Sequence, residues 1–77
     1  MTISAYILIE TSPGKTRGIT KTVEKIKGVK MAHSVTGPFD IVVSVEVADP
    51  KVLGDLVFKK IQKIDGVIST LTNVVVD

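Results

Sequence analysis

Few side chains in this sequence have the type and spacing that chemistry requires. The eight acids, Glu10, Glu24, Asp40, Glu46, Asp49, Asp55, Asp65 and Asp77, form no short-range pair of the kind used in general acid–base work or metal binding. Solvated charge accounts for all but Asp40. That residue follows Gly37-Pro38-Phe39 at the entrance to an apolar run, where its carboxylate either accepts backbone N–H groups of the turn or holds an ammonium group. With one His and no Cys, polyhistidine and thiolate metal sites, disulfides and a Cys nucleophile are excluded. No nucleophile-elbow pattern accompanies His33, so a Ser-His-acid triad has no support. Ser69, Thr70 and Thr72 follow Gly66-Val67, and the alternate hydroxyls of Thr70 and Thr72 project from one face of a strand. They are either ordinary half-exposed sheet surface or partners for a small polar ligand. No metal or cofactor is expected.

Basic residues cluster at Lys15, Arg17, Lys21, Lys25, Lys27 and Lys30, against Glu24 alone in that stretch, although the whole chain carries only +2. Arg17, Lys21 and Lys25 share one helical face, which is either solvated or turned toward phosphates or an acidic partner. Direct reading of RNA by a sheet needs aromatic platforms on the strands, and Tyr6, Phe39 and Phe58 do not form that pattern. Gly14 and Gly18 match no phosphate-binding loop. No direct nucleic-acid contact is expected. There is no signal-peptide pattern and no run of about 18 apolar residues, which makes a cytoplasmic location the default and a membrane partner unexpected.

The elements that carry these residues come in two similar halves. Lys25-Ile26-Lys27-Gly28-Val29 recurs as Lys63-Ile64-Asp65-Gly66-Val67, and the same offset maps Ile3–Ile9 onto Ile41–Val47. Each half reads as strand, helix ending at Gly, strand. Density of Val, Ile and Thr predicts strands at Ile3–Ile9, Val29–Thr36, Ile41–Val47 and Val67–Val76. A helix is predicted over residues 15–27, with Ile19, Val23 and Ile26 as its apolar stripe. A second, over 50–64, starts with Asp49 as N-cap and Pro50 at its first position, and buries Leu53, Val57, Ile61 and Ile64. Two βαβ halves in one chain of 77 residues imply right-handed crossovers and a ferredoxin-like α+β sandwich, a four-stranded antiparallel sheet with both helices on one face. Residues 1–77 are expected to form one domain.

A chain this short buries only roughly 60% of its unfolded surface, which favours subunit association. Two patterns point the same way. Val52, Leu56 and Phe58 widen the apolar arc of the second helix, and Tyr6 and Leu8 oppose Ala5, Ile7 and Ile9 across the first strand. Apolar residues on both faces of a strand imply a second subunit on the free face of the sheet. His33 lies on the alternation of Val29, Met31 and Val35 and is expected to face the core or an interface with them. Gly54 inside the second helix costs about 1 kcal/mol relative to Ala, and simple tolerance is its expected explanation.

Thr36-Gly37-Pro38-Phe39-Asp40-Ile41, followed by Gly66-Val67 and Thr70-Leu71-Thr72, resembles the effector-binding (RAM) domain of the Lrp/AsnC transcriptional regulators over essentially the whole chain. The resemblance implies a stand-alone RAM domain without the family's helix-turn-helix element. It implies a non-enzymatic amino-acid-sensing and oligomerisation module, with dimers assembling further and modulating full-length regulators. By the same resemblance the effector lies between dimers, at Gly37, Phe39 and Asp40 with Thr70 and Thr72, and Ser69 is a neighbour. Backbone N–H groups near Gly37 would take the ligand carboxylate, and Asp40 with the hydroxyls its ammonium. Pro38 and Phe39 depart from the commoner polar residue and Tyr, and each removes one donor. The alternatives are a structural partner of such regulators without ligand, and a small dimeric enzyme of the cofactor-free oxygenase kind.

Overall fold

The computed structural model describes residues 2–77. Strands β1 (Ile3–Thr11), β2 (Val29–Ser34), β3 (Ile41–Val47) and β4 (Val67–Val74) form one antiparallel sheet in the order β2-β3-β1-β4. Helix α1 (Thr16–Val23) joins β1 to β2; α2 (Pro50–Asp55) runs into a π-helical turn, Leu56–Ile61, before β4. The expected ferredoxin-like sandwich is therefore present, with the strands of the two halves interleaved.

Alternation along the central pair defines the core. Ala5 faces Val45, Ile7 faces Val43 and Ile9 faces Ile41, and all six are buried beneath Ile19, Val23, Leu53, Leu56, Val57 and Ile61 of the helical layer. Asp49 caps α2 as expected, its Oδ1 accepting the Val52 N–H at 2.9 Å with Pro50 at the first turn. The sequence repeat has a structural counterpart. Gly28 and Gly66 take φ of +99° and +100°, and their carbonyls accept the N–H groups of Glu46 (2.9 Å) and Ser12 (2.8 Å). At Gly66 a Cβ would lie 2.7 Å from Lys15 Cδ and 3.0 Å from Ile19 Cδ1, so only glycine fits the approach of α1 in this backbone conformation.

Several details differ from the sequence expectation. Helix α1 ends at Val23, after which Glu24–Ile26 closes in tight turns, the Ile26 N–H meeting the Val23 carbonyl at 3.0 Å. The second helix is α-helical only to Asp55, and beyond it the Gln62 N–H donates five residues back to Val57 O at 2.9 Å. Leu56, assigned to a surplus apolar arc, is buried, because it packs toward Gly28 and Val47; Val52 and Phe58 stay exposed as expected. Strands β2 and β4 stop short of Thr36 and Val76, while β1 extends to Thr11. An irregularity between Val29 and Met31 breaks their shared alternation, so Val29 sits opposite Val45 while Met31 and His33 face Ser44 and Val42. His33 is consequently exposed on the open face and is not a core residue.

Two outcomes are expected. A Cβ at Gly54 would meet only the Phe58 ring at 4.0 Å, so Gly54→Ala should raise stability by about 0.5–1 kcal/mol in a urea melt. Asp65 is held below its ordinary range first by the hydrogen bond from the Lys15 ammonium and second by its charge. A depressed folded-state pKa adds stability above the unfolded value and loses it as pH falls through the folded one, so this pair's contribution is present at neutral pH and disappears on acidification. In Lys15→Met, NMR titration of the Asp65 carboxyl should show its midpoint moving up; an unmoved midpoint would refute the pairing.

Candidate functional site

Asp40 begins β3 and ties three segments together. Its N–H donates to Ile9 O at 2.9 Å, its carbonyl accepts the Val35 N–H at 2.8 Å, and Oδ2 accepts the Thr11 N–H at 2.8 Å. The carboxylate thus serves a backbone amide of the neighbouring strand, not one of its own turn. Thr11 is 6% exposed, so without Asp40 its amide would be a buried donor with no acceptor. From Thr11 a chain of hydroxyls runs under α1. Thr11 Oγ1 lies 2.6 Å from Thr16 Oγ1, and Thr20 Oγ1 donates to Thr16 O at 2.9 Å while sitting 2.9 Å from Ser34 Oγ. Since the Thr20 proton is committed, Ser34 donates to Thr20. Gly37 occupies the exposed β2–β3 turn at φ +120°, with a cis Gly37-Pro38 peptide, and Phe39 is half-buried beside Asp40.

The hydroxyls of β4 lie on the other side of β1. Thr70 and Thr72 pair with Ile9 and Ile7 and so face the helical layer. Thr70 Oγ1 accepts the Gln62 amide at 2.8 Å, and both threonines line a groove of about 360 Å³ whose apolar wall is Leu53, Val57 and Phe58. Ser69 pairs with Glu10 on the open face and donates to its Oε1 at 2.9 Å. Within one chain, then, Asp40 and Thr70 stand on opposite sides of β1 near the same end, both next to Ile9.

The groove beside Thr70 can hydrogen-bond a small polar group and shield an apolar one. No cluster of three or more His, Asp or Glu gathers to hold a metal among the described residues. Sequence reasoning missed Gln62 altogether and read Phe58, 63% exposed, only as a contact surface. Their i, i+4 spacing on a helix preceding the hydroxyl-bearing strand was the available signal.

Removing the Asp40 carboxylate should cost more than removing its charge. Asp40→Ala strands the Thr11 amide and should destabilise by about 1–3 kcal/mol, whereas Asp40→Asn keeps an acceptor and should lose less than about 1 kcal/mol. Chemical denaturation of both variants checks this, and equal losses would rule out the Thr11 bond as the cause.

The family model for the Lrp/AsnC ligand binding domain matches residues 4–77. An uncharacterised HTH-type transcriptional regulator of Pyrococcus abyssi is 36% identical over 72 residues, covering 94% of this chain and 46% of the regulator. The crystal structure of a protein from Thermus thermophilus superposes with a TM-score of 0.93 at 29% identity, covering 97% of this chain and 94% of that one. The structure of Escherichia coli AsnC superposes at 0.90 with 26% identity, over 97% of this chain and 51% of AsnC. The chain spans about half the length of the Pyrococcus regulators it matches, from 46% to 51%. On the family match to residues 4–77 and relatives above 30% identity along nearly all its length, the chain belongs to the Lrp/AsnC family, as a ligand-binding domain of the kind its transcription regulators carry.

Proposed function

We propose that this protein is a non-enzymatic amino-acid-sensing and oligomerisation module of the cytoplasm, residues 1–77 acting as a single domain, that modulates full-length Lrp/AsnC-type regulators. The open sheet face carries the dimer contact. Tyr6, Leu8, Val42, Met31 and Leu71 stand there, with Tyr6 and Leu71 48% and 47% exposed. A second copy would bury them by the hydrophobic effect, which a small domain otherwise uses sparingly. The effector site lies between dimers at Gly37, Phe39, Asp40, Thr70 and Thr72, with Ser69 at its border.

The observation that carries the reading is the division of these residues into two groups on either side of β1. Each group recognises part of a zwitterion, and neither encloses one, so a neighbouring subunit completes the pocket. The turn at Gly37 supplies backbone N–H groups for a carboxylate; Asp40 and the threonine hydroxyls supply acceptors for an ammonium. Burial of either charge without such partners would cost several kcal/mol. Asp40 Oδ2 is committed to Thr11, leaving Oδ1 for the ligand.

Light scattering after size exclusion, with thermal melts in each standard amino acid at millimolar concentration, tests this on wild type and Asp40→Asn. The expected result is an assembly of two or more subunits, stabilised by at least one amino acid in wild type only. A ligand at a hundred times its Kd adds about 2.7 kcal/mol, a readily measured rise in Tm. A monomer whose melts all superimpose would overturn the proposal.

A further inference from the structure

At the far end of β3 from Asp40, six residues and about 20 Å away, the two helical segments leave a second groove between them. Its volume is about 800 Å³, within the range of small-molecule sites; half-buried Ile26 and exposed Val52 are its accessible apolar walls, over the edges of the buried Val47 and Leu56. Gly28 keeps the groove floor low, since Val47 Cγ1 and Leu56 Cδ1 approach to 3.2 and 3.3 Å of where its Cβ would stand.

The rim is charged, and the charges do not cancel. Glu46 and Asp55, the two acids there, are already engaged at 3.5 Å by Lys30 and Lys59. Lys25, Lys27 and Lys60 also border the groove and form no ion pair among the described residues. Hydrocarbon below and unneutralised ammonium groups on both sides select one chemistry. A hydrophilic anion would leave the apolar floor wet, and a neutral hydrocarbon would leave the lysines without a counter-charge. We infer that this groove binds an anionic amphiphile, an aliphatic body on Ile26, Val47, Val52 and Leu56 with an anionic head held by Lys25, Lys27 and Lys60. The site is independent of the residues assigned to the amino-acid effector.

The test is an NMR titration of backbone amides with decanoate, decyl phosphate and decyltrimethylammonium, each below its micelle concentration. One or both anions should give saturable shifts at Gly28, Val47 and Leu56, the tighter of the two identifying the head group, and the cation should give none. Lys25→Glu/Lys60→Glu should weaken the anion roughly tenfold, while Lys51→Glu/Lys63→Glu, with the same change in net charge away from the groove, should alter it less than about twofold. Val52→Glu should abolish it, with thermal melts showing that every variant folds. Binding of neither anion, equal binding of the cation, or shifts confined to the open sheet face would each overturn the inference. So would the same amides shifting with protein concentration alone, because a second copy would then fill the groove.

Discussion

The pairing of β1 with β3 sets Ala5, Ile7 and Ile9 against Val45, Val43 and Ile41 in one buried layer, and the other features of the fold are hung on that register. Burial of each large member contributes up to about 1.5–3 kcal/mol, and a slip of one residue would turn the whole layer to solvent. Asp40 is the residue before Ile41, so the register that aligns Ile41 with Ile9 is also what brings its carboxylate to the Thr11 amide. The position of the candidate site is therefore fixed by core packing, without any interaction specific to a ligand.

Polar order radiates from the same end of the sheet. The Asp40 to Thr11 bond, the Thr11 to Thr16 contact and the Thr20 to Ser34 contact form a sequence of satisfied groups under α1, and no buried side-chain polar atom lacks a partner among the described residues. Such a network is stiff because each unmade bond would leave a desolvated group behind. The β2–β3 loop is thus anchored at Asp40 while its Gly37 tip stays exposed.

Regular geometry gives way where recognition is assigned. The β1–β4 ladder shifts register between Glu10 and Thr11, beside Ser69 and Thr70, and the helix over Thr70 widens into a π turn that presents Phe58 and Gln62. Bulges and π turns re-aim side chains that an ideal ladder or helix would place elsewhere. The two faces of α2 then serve two grooves, one toward the β4 threonines and one toward the lysines after α1.

Much of this was legible in the residues alone. The Lys-Ile-x-Gly-Val repeat identified the two βαβ halves, and the Val and Ile alternation marked the core faces of β1 and β3, while the Gly37-to-Asp40 and Thr70-Thr72 motifs are what the proposed effector site is built from. These are local signals, written in period and turn chemistry. Tertiary structure decided the rest. A shift in the β2–β3 ladder turned His33 outward, packing toward Gly28 and Val47 drew Leu56 into the core, and the Asp40 carboxylate came to accept the N–H of Thr11, 29 residues away in sequence. Each of these depends on which strands become neighbours, and no local period carries that information.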